Sequence, residues 1–199
     1  MSSKRAAILD TALSLFAIYG YHGVGVDRIK DEAGVSKMTL YKYFPTKEML
    51  IEGVLKWRDE CFRASLAGAL TQADGCRNKV HAVFVWHDEW FRKSEFHGCM
   101  FIKASEEFSD QSSPIRRIAR QHKEHIHALL LTILTTAGVR DADSLAWHLL
   151  VVLEGMIVNA NMFNDRQCVD RCWPFVDTLL EQHLPDLMQP DSTGSKRFA

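Results

Sequence analysis

At 199 residues, with 47% apolar and 25% charged side chains, the chain is long enough to bury a real core and has the composition of an ordinary soluble globular protein. It offers no uninterrupted apolar run of ~20 residues, and its opening MSSKRAAILD lacks a leader's long apolar segment, so neither a membrane span nor export is expected. The net charge of −1 excludes a protein coated in phosphate contacts, while five scattered cysteines argue against a disulfide framework and for a reducing cytoplasm.

In chain order the pattern is helical almost throughout. From Lys4 to Tyr19 apolar residues fall at Ile8, Ala12, Leu15, Phe16 and Tyr19, a helical stripe that Gly20 ends. A short second helix puts Val26, Ile29 and Ala33 on one face and stops at Gly34. The third starts at Ser36, a good N-cap, and Pro45 closes it after Phe44. Thr46 caps a fourth, with Glu48 in its first turn and Leu50, Val54, Trp57 and Cys61 along one side. Residues 78–94 carry Val80, Phe84, His87 and Phe91 on one stripe, and Gly98 introduces a short helix over CMFIKASEEF. Ser113-Pro114 starts a long helix with Ile115, Ile118, His122, Ile126, Leu129, Ile133 and Ala137 at a 3.6 period. Asp143 is expected to cap a helix reaching Phe163. A last helix is expected from about Asp170 to Leu184, with Pro174 in its first turn, where the missing N–H costs little. Residues 188–199 read as a disordered tail. With no strand and no repeat in the pattern, the fold class is all-α, with about nine helices.

The second and third helices are separated only by Gly34, Val35 and Ser36, which is helix-turn-helix spacing. In such a unit the second helix enters the major groove while the first crosses the backbone. Leu40 and Phe44 supply the inward face of the third helix. Lys37, Thr39, Tyr41, Lys42 and Tyr43 project elsewhere, with side chains suited to base edges and phosphate oxygens. Lys47 follows at the start of the fourth helix, where free backbone N–H groups favour an anion. Charge agrees locally: residues 1–47 hold seven Lys/Arg against four acids, and no acid lies between Lys37 and Lys47. The same pattern would also suit a small helical subdomain with core aromatics and solvated lysines.

The motifs A-x-x-L-F-x-x-x-G-Y, I-x-x-E-A-G-V-S and T-L-Y-x-Y-F-x-x-K-E, spread over residues 5–54, closely resemble the N-terminal domain of the tetracycline-repressor (TetR) family of bacterial regulators. The resemblance implies an all-helical homodimer with a helix-turn-helix domain over 1–47 and a ligand-binding and dimerisation domain over 48–187. It matches Thr39, Tyr41, Tyr43 and Lys47 to phosphate-contacting positions, and Ser36, Lys37, Met38 and Lys42 to positions able to meet bases. Where many members carry Ser or Thr ahead of the second helix, this chain has Gly25, so that phosphate contact survives only as a backbone N–H. Met38 stands where glycine or proline is common, and its chain could meet a thymine methyl or pack on Tyr41 or Lys42.

The remaining three-quarters of the chain carries no motif of equal specificity. By the same resemblance, residues 143–163 and 170–184 pair with their mates across a two-fold axis. The first of these is apolar nearly all round, as suits a helix facing a core and a partner. Glu154, Asn159 and Asn161 interrupt it and stand either as ligand anchors or as interface positions, and His148 either as a contact or as a core histidine. Phe84, Trp86, Trp90, Phe91, Phe96 and Phe101 either line an apolar cavity or simply fill a core. Trp86, Trp90, Phe101, Cys99, His148, Glu154 and Asn159 are the candidate ligand contacts, for an apolar or aromatic effector.

Cys99 sits in a Gly-Cys segment at a helix start, where the dipole favours a thiolate and His97 is close. It is either an electrophile or oxidant sensor or a small packed residue. His122 and His125 could share a metal, but a polar helix edge is the simpler reading, and no cofactor is expected. The function expected is a cytoplasmic homodimeric repressor that a small apolar or aromatic effector releases from a palindromic double-stranded DNA operator. A Cys99-based sensing regulator is the alternative. A thiol enzyme built on Cys99 and His97 lacks a third orienting residue, and a ligand-free DNA-binding factor is the remaining rival.

Overall fold

The computed structural model describes residues 3–184, and among these it holds nine helices and no strand. The tail expected over 188–199 lies outside the described residues, as do residues 185–187 of the expected body.

Three helices form a small head. α1 (Ser3–Tyr19) buries Ile8, Leu9, Ala12, Leu15 and Phe16, and α2 (Val26–Glu32) and α3 (Lys37–Tyr43) pack on it. Gly34 makes the turn between α2 and α3 at φ +64°, a conformation that strains any side chain with a Cβ. Ser36 then caps α3, its Oγ accepting from the Thr39 N–H at 3.1 Å. Leu40 and Phe44 are buried as the spacing requires. Tyr19 departs from the expected stripe. It is 51% exposed, because its neighbour across the head is the Arg28 guanidinium, 4.2 Å from its ring centroid, and not an apolar side chain. The interior place goes instead to Tyr21, fully buried just past Gly20.

α4 (Lys47–Leu70) joins head to body. Thr46 caps it by accepting from the Met49 N–H at 3.1 Å, leaving the N–H groups of Lys47 and Glu48 outside the helical ladder. It packs on α1 and also on α5 (Cys76–Phe91) and α7 (Pro114–Thr136). Because its neighbours change along its length, the buried stripe shifts, and Phe62 is buried where Cys61 had been expected.

α7 is the centre of the body and touches α4, α5, α6 (Met100–Glu107) and α8 (Ala142–Phe163). The expected stripes hold in the main: Val80, Phe84, His87 and Phe91 on α5, and Ile115, Ile118, His122, Ile126 and Ile133 on α7, are buried, while Leu129 and Ala137 are only half-buried. α8 begins one residue before Asp143, which lies in its first turn and faces the dipole without capping it. α9 (Cys168–His183) starts earlier than expected, so Pro174 lies inside the helix and not in its first turn. There the ring leaves the Asp170 carbonyl without its i+4 donor. α8 is 22 residues with a mean hydropathy of 1.4 in its most apolar window, enough by length and composition to cross a membrane. Its polar interruptions hide this from a search for unbroken apolar runs. In the fold it packs on α5, α7 and α9.

Candidate functional site

The head presents the expected surface. Met38 is 81% exposed and Tyr41 40%, Lys42 is exposed, and Thr39, Tyr43 and Lys47 are partly buried. Ser36 is committed to its cap, its Oγ also lying 2.9 Å from Thr39 Oγ1. Lys37 reaches back to α2, its Nζ 3.0 Å from Asp27 Oδ1, so it would have to exchange this partner to meet a base. Gly25 has an extended backbone, no side-chain cap, and open space where a Cβ would stand.

A partly open cavity of ≈ 410 Å³ lies between α1, α4, α5, α6, α7 and α8. That is large enough for a drug-sized molecule. Its walls include Phe62, Trp86, Trp90, Phe101, Leu153 and Ile157. Five of the seven expected ligand contacts meet here: Trp86, Trp90, Cys99, Phe101 and Glu154. The other two do not. His148 projects to the exposed side of α8, and Asn159 lines a separate groove between α8 and α9, its amide donating to the Gly155 carbonyl at 2.7 Å. Both fall on the exposed face of α8, a distinction that the nearly uniform apolarity of this helix concealed. Of the other expected aromatics, Phe84 and Phe91 fill the core, while Phe96 braces Trp90 edge-on at 5.0 Å.

Two histidines in the wall were not anticipated as cavity residues. His122 is 2% exposed and stacks on Phe101 with centroids 3.6 Å apart, so the polar-edge reading is wrong for it. Its Nδ1 lies 2.7 Å from Asp59 Oδ1, an acid from α4 that sequence distance hid. Burial pushes the His122 ring down to about 4, against the pull of Asp59. Burial alone would raise the Asp59 carboxyl, but His122 and Arg63 outweigh it and hold it low. The neutral ring therefore donates through Nδ1–H to an ionised carboxylate, which leaves Nε2 as an acceptor. His87 behaves alike: Nδ1 donates to the Val83 carbonyl at 2.8 Å, and burial pushes the ring to about 4. The signal was present, since both residues sit on apolar stripes. Among the described residues no three His, Cys, Asp or Glu side chains are grouped to hold a metal.

Cys99 caps α6 at the cavity wall, with Lys123 Nζ 3.3 Å from its sulfur and 2.7 Å from Glu154 Oε1. Burial opposes the Lys123 ammonium, yet Cys99 and Glu154 outweigh it and raise its pKa. The far end of α6 grips the head. Glu107 accepts from the Tyr21 and His22 backbone N–H groups at 3.0 and 2.8 Å, and the Tyr21 hydroxyl donates to the Met100 carbonyl at 2.8 Å. Lys103 donates to the Ala17 carbonyl near the end of α1. Gly20 permits this approach, since a Cβ there would stand 2.7 Å from Glu107 Oε1. No short-range sequence signal marks these contacts, which join residues 79 to 86 apart.

A helix-turn-helix head on a helical body with a cavity defines the class of a DNA-binding transcriptional regulator. Comparison with known proteins agrees. The family model of bacterial regulatory proteins of the tetR family matches residues 8–54, and that of the tetracyclin repressor-like C-terminal domain matches 77–176. The chain belongs to the TetR family. It is 28% identical to a TetR-family transcriptional regulator from Streptomyces coelicolor, whose crystal structure superposes with a TM-score of 0.86 over 90% of this chain and 95% of that one. It is 25% identical over 178 residues to the HTH-type transcriptional regulator YjdC of Escherichia coli, covering 88% of each chain. Similarity to the E. coli regulator RutR is higher, 46%, but is confined to 56 residues, 28% of this chain and 26% of that one.

Proposed function

We propose that this regulator is a homodimeric repressor, released from a palindromic operator when a small molecule occupies the body cavity. The observation that carries the reading is α6, which lines the cavity with Cys99, Met100 and Phe101 and holds the head with Glu107. An effector that binds better to a conformer with α6 displaced would shift the population toward heads that no longer fit successive major grooves about 34–36 Å apart. The division of labour follows the chain, with residues 1–47 for DNA and 48–187 for effector and partner.

At the operator, Thr39, Tyr41, Tyr43, Lys47 and the Gly25 backbone N–H hold phosphates. Met38 and Lys42 read bases, as does Lys37 once released from Asp27, while Ser36 supports them by fixing the start of α3. The test is a gel shift on the DNA flanking the chain's own gene. Tyr41→Ala and Lys47→Ala are expected to weaken binding while dimer mass is unchanged, and wild-type affinity in the double variant would overturn the assignment. Loss of reporter repression in the same variants separates a repressor from an activator.

A second reading is favoured by one contact. Lys123 Nζ lies 3.3 Å from the Cys99 sulfur at the cavity wall, a placement that suits a sensor of electrophiles. Cys99→Ser is then expected to abolish DNA release by N-ethylmaleimide. Release that persists would leave the sulfur a packing role.

A further inference from the structure

One charge in the cavity wall has no hydrogen-bonding or ion-pair partner among the described residues. Arg58 stands on α4, partly buried, with its guanidinium 5.7 Å from the Trp90 ring centroid, and among the described residues no oxygen accepts a hydrogen bond from it. Most other arginines of the body are answered. Arg63 pairs with Asp59, Arg92 with Asp88, Arg77 with Asp177 and Arg171 with Asp165, and Arg116 donates to main-chain carbonyls. Arg117 and Arg140 lack such a partner, but both are exposed to water. Arg58 faces the cavity. The Trp90 face orients its guanidinium but leaves its five N–H donors unfilled, and arginine does not escape the cost by shedding its proton.

The remaining lining sharpens the point. His87 and His122 are neutral rings, and Lys123 is already paired with Glu154 at 2.7 Å. Lys93 and Glu95, exposed and opposite in sign, offset each other at the rim. The uncompensated positive charge therefore belongs to Arg58. Around it stand flat apolar surfaces: Phe62 packs edge-on against Trp86 at 4.5 Å, Trp86 lies 6.1 Å from Trp90, and Phe101 is held in place by His122. One planar cation in an aromatic box calls for one planar anion on an aromatic body, since a carboxylate meets a guanidinium through two parallel hydrogen bonds with charge balanced one to one.

We propose that the effector is an aromatic carboxylate, its anionic group seated on Arg58 and its rings against Trp86, Trp90 and Phe101. This rests on the reading of the cavity as the effector site. The full-length protein is titrated with naphthoate, the uncharged naphthamide and naphthyl phosphate, following tryptophan fluorescence and calorimetry. Wild type is expected to bind naphthoate at least about tenfold more tightly than naphthamide, the size of a charge-assisted hydrogen bond. Arg58→Gln is expected to lose that preference while binding naphthamide as wild type does. Equal binding of acid and amide by wild type, or an acid preference that survives Arg58→Gln, overturns the inference and leaves the cavity reading standing. Tighter binding of the phosphate than of the carboxylate overturns the choice of anion. Binding of none of the three removes both the inference and the cavity reading. Should Arg58→Gln fail to fold, the acid-against-amide comparison in wild type decides alone.

Discussion

At the scale of single residues, the buried imidazoles make the most direct claim. His87 and His122 are held near 4 in the fold, whereas an unfolded histidine titrates near ~6.5. Between those values the unfolded chain binds more protons than the folded one, so stability falls as pH drops through this window. Each ring contributes a slope of about 1.4 kcal/mol per pH unit. The melting temperature is therefore expected to be level above pH ~7 and to fall steadily below ~6.5. His122→Gln, which keeps a donor for Asp59 and removes one titration, is expected to flatten the decline. A melting temperature unchanged between pH 7 and 5 would contradict the neutral buried rings. Asp59 acts in a lower range: its depressed carboxyl contributes stability that is lost only as pH falls below the ordinary aspartate value.

At the scale of elements, α6 is a short strut with a task at each end. Its N-terminus meets the cavity, and its C-terminal carboxylate closes two backbone N–H groups in the loop after α1. Removing that carboxylate orphans one partly buried donor, the Tyr21 N–H, a loss of about 1–3 kcal/mol. Glu107→Ala is expected to lower global stability by that order, with ligand binding in the cavity unchanged. The informative readout is coupling: in Glu107→Ala an effector should still bind but no longer change operator affinity, because the head has lost its grip on α6. Effector-dependent release at the wild-type ratio would assign the coupling to α4 or to the Tyr21 and Lys103 contacts that α6 keeps with the head.

At the scale of the whole molecule, the exposed apolar residues are not scattered. Trp147, Val151, Val158 and Met162 on α8 and Phe175 on α9 are 42–68% exposed, and on α8 they recur at helical spacing. A stripe of this size on a monomer marks an interaction surface. A two-fold pairing of α8 and α9 with their mates would cover it with the same surface from a second copy. Val151→Glu, which places like charges against each other across such an axis, is expected to shift the protein to monomer in sedimentation. Operator binding should fall with it, since one head alone reads only half of a palindrome. A dimer of undiminished stability in this variant would move the interface elsewhere.

Much of this was legible without coordinates, and for a local reason. Helix stripes, Ser36 and Thr46 as caps and Gly34 as the turn are properties of a few adjacent residues, so the head and the order of the nine helices could be read along the chain. Neighbours distant in sequence could not. Asp59 under His122, Glu107 under Tyr21 and Arg58 over Trp90 depend on which helix packs on which. So does the side of α8 that left His148 and Asn159 outside the cavity, because a helix apolar all round does not state which face turns inward. The sequence by itself determined a helix-turn-helix regulator. Only the tertiary structure decided which charges it buries and which of them it pairs, because burial and pairing are properties of helices brought together.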